Sequence, residues 1–153
     1  MPSIQTRDFG EVSYEASAEL VFPCGIPGFE RQRRFVLLTP EQIAPVVLLQ
    51  SKDVAALAFL AIPVSLLDPA YQSGIGTDDL QLLGFEERQP RPGEEALSLA
   101  ILAPGADGAL TANLLAPVVI NVRTHTAVQA VRFDRRYSHQ APVPREVLEQ
   151  PCS

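Results

Sequence analysis

The chain is short of most things that would mark a catalytic, membrane or nucleic-acid function. No apolar run approaches the ~20 residues a membrane helix needs, and the opening Met-Pro-Ser-Ile-Gln-Thr-Arg-Asp carries no apolar signal core. A cytoplasmic protein with no membrane contact is the expectation. Lysine is nearly absent, Lys52 being the only one, so arginine carries the positive charge. That is a compositional bias and points to no function by itself. Only Cys24 and Cys152 are present, far apart and without CxxC spacing, which predicts reduced thiols in place of a zinc site or redox motif.

Positive charge is also short overall. A formal net charge of −6 and a pI near 4.8 disfavour direct nucleic-acid binding, because affinity for phosphate comes mainly from Lys and Arg displacing counterions. A basic protein partner fits better. Catalytic signatures are missing too: there is no GxGxxG, GKS, GKT, GxSxG or HExxH. His125 ends an apolar strand and His139 falls in the tail, so both read as surface or turn histidines. No enzyme activity and no cofactor or metal are expected.

What is present describes a folded domain. Hydrophobic residues make up 46% of the 153 and charged residues 20%, far from the composition of a disordered chain and enough for a single core. Apolar and polar residues alternate around Val12 and Tyr14 and around Leu20 and Phe22, the pattern of half-buried strands. Short apolar runs follow at 34–38, 45–50, 56–62, 97–102 and 114–122, the third of them also compatible with helix. The last two are joined by Pro104-Gly105-Ala106-Asp107-Gly108 and read as a hairpin. From Thr126 to Phe133 the alternation sets Val131 and Phe133 on one face and Arg132 on the other. One helix is expected at 77–84, with Thr77 as cap, Asp78 and Asp79 at the positive end of the dipole and Gly84 as stop; a second, short one is possible at 145–150.

The fold class is therefore all-β: a small antiparallel β-barrel-like domain, closed or nearly so, or a sandwich, with one or two short helices and less than about one-fifth helix overall. The barrel domain is expected over residues 1–137, with a flexible C-terminal tail over 138–153. Within it, Pro27 and Gly28 occupy the two central positions of a type II turn and make a rigid corner. Charge is uneven along the chain. Residues 78–95 hold six acids against two bases, whereas in 123–136 Arg123, Arg132, Arg135 and Arg136 face only Asp134. Either the fold presents separate acidic and basic faces, or folding disperses these charges.

Four segments carry a family resemblance: Asp8-Phe9-Gly10-Glu11, the nine residues from Phe22 to Glu30, Leu49-Gln50-Ser51, and the eleven from Thr111 to Asn121. In order and spacing, from about Ile4 to Tyr137, they resemble the FliW family. The chain departs from the family pattern at Val47 and Leu48, where an aromatic is common, and at 137–142, where a basic Arg-His-Pro segment is common. The resemblance implies a flagellar assembly factor that binds cytoplasmic flagellin and, once freed, binds the RNA-binding regulator CsrA and relieves its repression of flagellin translation.

Candidate partner-binding residues are of two kinds. Phe29, Leu66, Leu67 and Tyr71 are apolar side chains on loop or edge segments, suited either to seat an amphipathic flagellin helix or to close one end of the barrel. Glu30, Gln50, Ser51 and Asn113 are polar residues of the matched segments. A small-molecule-binding barrel is the main alternative and requires a concave apolar pocket. A hydrolase comes second and lacks a recognisable nucleophile and base.

Overall fold

The computed structural model describes residues 1–71, 74–86, 88–132 and 136–149. Glu87, Phe133, Asp134, Arg135, Cys152 and the Gln150 end of the expected C-terminal helix lie outside the described residues. Strand dominates. β1 (Ser3–Thr6) and β2 (Gly10–Ser13) form a separate antiparallel hairpin. β3 (Glu19–Val21), β4 (Arg34–Leu38), β5 (Val47–Ser51) and β6 (Ala58–Pro63) then run as an antiparallel meander. Two short helices follow, α1 (Val64–Leu67) and α2 (Thr77–Leu83). The chain continues through β7 (Ala96–Pro104), β8 (Leu110–Ala112), β9 (Val118–Asn121) and β10 (Thr126–Gln129), and ends with β11 (Ala141–Pro142) and α3 (Arg145–Leu148).

β7 pairs with β6 on one side and with β9 on the other, and β10 joins β9 to β3, so seven strands close into a barrel. A ring of seven cannot be antiparallel throughout. Its one parallel contact is β10 with β3, where Thr126 lies opposite Val21. Side-chain alternation sends Phe22, Phe35, Leu49, Leu99, Val118 and Ile120 inward, where they fill the barrel; the Phe22 and Phe35 rings meet edge-on at 5.2 Å. Each such side chain contributes about 1.5–3 kcal/mol by leaving water.

The outward face is covered in three places. Ile4, Phe9 and Val12 of the hairpin segment lie over Val36, Leu38 and Leu48. Leu80 and Leu83 of α2 lie over Val119 and Val128. The residues of α1 and of the C-terminal segment cover Ile62, Ala100 and Leu102, with Val143, Val147 and Leu148 in that cluster. Beyond Tyr137, where the sequence suggests a tail, β11 pairs with β8 and Val147 is buried.

The run 56–62 is strand from Ala58, as its apolar pattern suggests, and its helical alternative is not taken up. Other local expectations change. The hairpin after β7 forms, but its return strand is split: β8 pairs with the end of β7, β9 with its beginning, and 113–117 bulge between them. Asn113 Oδ1 holds that bulge by accepting the backbone N–H groups of Leu115 (3.1 Å) and Ala116 (2.9 Å). α2 begins at Thr77 itself, after Gly76 at the cap position, and Thr77 makes no side-chain cap. Gly84 ends the helix in the left-handed conformation, as its position suggests. Val131 and Arg132 do lie on opposite faces, and the arginine takes the inner one: Val131 is 46% exposed and Arg132 only 8%. Arg132 goes inward because its guanidinium lies 4.9 Å from the centroids of both the Tyr71 and Tyr137 rings, where cation–π attraction offsets desolvation. Arg132 is therefore lost to any basic face. In the acidic segment, Arg88 and Arg91 pair with Glu95, and Arg123 of the basic run lines a cleft with Glu86 and Glu95, so these described charges of the two runs share one place.

Candidate functional site

The candidate residues fall into two groups, toward opposite ends of β6. The first surrounds the β3–β4 connection. Three reverse turns follow one another there, closed by N–H to carbonyl bonds from Gly25 to Phe22 (3.0 Å), Phe29 to Ile26 (2.7 Å) and Gln32 to Phe29 (3.0 Å). Gly28 has φ +91°, the value the third position of a type II turn requires, with Pro27 before it. Gly25 has φ +67°, and a Cβ there would sit 2.6 Å from Glu30 Cα, so only glycine fits. These turns present Phe29 at the barrel mouth, 42% exposed, its ring edge-on to Phe59 at 5.4 Å. Glu30 is exposed, and its Oε1 accepts the Gly28 N–H at 3.0 Å, which holds the carboxyl below the usual range.

Gln50 and Ser51 lie at the same end but are buried. Ser51 Oγ accepts the N–H groups of Asp53 (3.2 Å) and Val54 (3.1 Å). Gln50 Nε2 reaches the carbonyls of Ala55 and Leu57, both at 3.1 Å, so the two side chains hold the β5–β6 turn from beneath. Gln50 Oε1 is buried with no hydrogen-bond partner among the described residues. Arg34 pairs with Asp53 and Lys52 with Glu19 (3.2 Å), fixing this turn against β4 and β3. The Tyr14 hydroxyl donates to Glu19 at 2.7 Å and, with Lys52, holds that carboxyl below its usual range.

The second group is packed. Leu66, Leu67 and Tyr71 are half-buried against the cluster of Ile62, Leu102 and Leu114. The Tyr71 hydroxyl donates to the Leu114 carbonyl at 2.9 Å, and burial pushes its pKa up. Asn113, half-buried in the neighbouring bulge, is engaged with the backbone as described. Beside α1 an open cleft of about 280 Å³ is lined by Val64, Asp68, Pro69 and Leu97. Of the histidines, His125 has φ +62° in the β9–β10 turn, its N–H on the Asn121 carbonyl at 2.8 Å. Among the described residues no cluster of His, Cys, Asp and Glu could hold a metal ion.

Arg31, Arg33 and Val54, which the sequence reading did not single out, are exposed at the Phe29 end. Proximity of Arg31 and Arg33 to Phe29 in the chain was a usable signal. For Val54 there was none, since its place depends on how Gln50 and Ser51 fold the turn.

Among the described residues no helix is long and apolar enough to cross a membrane. The chain is similar to a crystal structure of the flagellar assembly factor FliW, with a TM-score of 0.77 and 29% identity over 95% of this chain and 99% of that one. It is 34% identical over 148 residues to the flagellar assembly factor FliW of Leptospira interrogans, covering 95% of this chain and 93% of the relative. To that of Syntrophus aciditrophicus it is 33% identical over 146 residues, covering 95% and 87%. The family model described as FliW protein matches residues 3–143, and the chain belongs to the FliW family.

Proposed function

We propose that this protein is a cytoplasmic flagellar assembly factor that binds flagellin and, when flagellin is exported, binds CsrA and frees the flagellin message from it. The observation that carries this reading is the family match over residues 3–143, together with relatives that bear the name flagellar assembly factor. The net charge of −6 supports the CsrA half: an acidic protein seated beside an RNA site lowers its affinity for phosphate, and its attraction to a basic partner speeds encounter. Phe29, Glu30, Leu66, Leu67 and Tyr71 are the proposed contact residues. Gln50, Ser51 and Asn113 contribute by holding the turns beside them.

The test is competition among purified components. The protein should bind flagellin, release a flagellin-message hairpin from CsrA in a gel shift, and lose that effect when flagellin is added. Binding to neither protein would overturn the proposal. The small-molecule reading asks for a concave apolar pocket; Phe22, Phe35 and Leu49 occupy the barrel interior, which leaves that reading to the open cleft beside α1.

A further inference from the structure

The β3–β4 end of the barrel brings an exposed aromatic, two exposed arginines and an exposed valine together. Phe29 is a large aromatic left nearly half exposed, and the turns at Gly25 and Gly28 hold its backbone in one conformation. Arg31 and Arg33, two and four residues on, are exposed, and none of the ion pairs among the described residues involves either of them. Of the neighbouring charges, Arg34 is matched by Asp53 and Lys52 by Glu19, while the Glu30 carboxylate accepts the Gly28 N–H and keeps its charge, leaving the two arginines in excess over it. Val54, 38% exposed, follows directly on the Asp53 that Arg34 holds.

We infer that this rim, formed by Phe29, Arg31, Arg33 and Val54, docks an acidic amphipathic segment of a partner protein. The partner's apolar side chains would lie against Phe29 and Val54, and its carboxylates would face the two arginines. Charge complementarity selects the occupant: two exposed guanidinium groups outside the ion pairs of the described residues stand side by side with Phe29, a local excess of positive charge on a molecule of net charge −6 that suits an acidic segment. Aromatic and arginine side chains are the types enriched at interface centres, and guanidinium takes carboxylate in a two-pronged fashion that lysine cannot. Ordering costs are low, because the turns fix the Phe29 backbone before any partner arrives. A nucleic acid is disfavoured, since two arginines neutralise few phosphates against the negative remainder.

This inference deepens the proposed function by assigning one face and its chemistry, and rests on the reading of the chain as a protein-binding factor. The probe is a synthetic helical peptide with leucine along one face and glutamate elsewhere, titrated into isotope-labelled full-length protein. Amide shifts are expected at 28–34 and 52–55. The double variant Arg31→Glu/Arg33→Glu, and separately Phe29→Ala, should each weaken binding about tenfold or more. A lysine version of the peptide should not bind there. Both arginines are exposed, so the thermal midpoint should hold, and Arg31→Gln/Arg33→Gln serves if the reversal disturbs folding. Shifts confined to another face, equal binding by the charge variants, or tighter binding of a single-stranded RNA at the rim would overturn the inference. Flagellin separates the two readings. If it binds wild type and double variant alike, the rim inference fails and the proposed function stands; if neither flagellin nor CsrA binds while the peptide does, the function fails and the rim stands.

Discussion

The mouth around Phe29 and the cluster around Tyr71 were equally good places to look for a partner site, yet they solve opposite problems. At the mouth, backbone hydrogen bonds and obligatory glycines fix the chain so firmly that the side chains need not pack, and Phe29 stays open. Around Tyr71 the backbone is also hydrogen-bonded, Asp68 N–H to the Val64 carbonyl and Tyr71 N–H to the Asp68 carbonyl, both at 3.0 Å. Here, though, the side chains are used as well, with Leu66 and Leu67 against the sheet, Tyr71 tied to Leu114, and Arg132 between two tyrosine rings. A rigid backbone frees apolar surface for binding, whereas a region held by its side chains has already committed that surface.

Four changes would break or sharpen the contrast. The largest effect is expected from Gly25→Ala, which combines a positive φ with a contact too close for any Cβ; unfolding in urea should show a loss of about 3 kcal/mol. A midpoint like that of the wild type would mean the mouth is less fixed than its turns imply. Next is Leu67→Asp, which puts a charge into the packed group and should cost about 2 kcal/mol of stability. A folded variant of unchanged stability that has lost flagellin would instead make Leu67 a contact.

Tyr71→Phe should cost about 1 kcal/mol by removing the donor to the Leu114 carbonyl. Near-zero change in the melting midpoint would show that the ring contacts alone suffice. The smallest effect is electrostatic. The Glu19 carboxyl, held down by the Tyr14 hydroxyl and by Lys52, has its folded pKa below the unfolded value, so its contribution is present above about pH 4.5 and is lost as pH falls through the folded value. Glu95, held down by Arg88 and the Arg91 N–H, acts in the same direction away from the mouth. Stability measured against pH should decline on the acid side, and less steeply in Lys52→Met. A flat profile would remove the Glu19 pairing from the forces that fix the β5–β6 turn.

Much of this fold was legible in local pattern. Short apolar runs gave most of the barrel strands and alternation the others, Pro27 and Gly28 gave the corner, and Gly84 gave the end of α2, because each rests on neighbours within a few residues. The division of 114–122 into a bulge and a strand was not legible, since Asn113 acts through backbone groups that only the folded chain brings to it. Nor was the inward turn of Arg132, whose two aromatic partners lie far apart in sequence. For the site, sequence located apolar side chains on loops but could not separate Phe29, which stays open, from Leu66 and Leu67, which do not. Exposure depends on what packs above a residue, and that is a long-range property.

The parallel contact between β3 and β10 sets an order of events. Val21 meets Thr126, so the ring cannot shut until nearly the whole described chain is available, while the β3–β6 meander needs only neighbouring strands and short connections. Closing such a long loop is entropically slow compared with forming local hairpins. As the chain leaves the ribosome, the meander can assemble first and stand as an open sheet with two unpaired edges, shielded only when the last strands arrive.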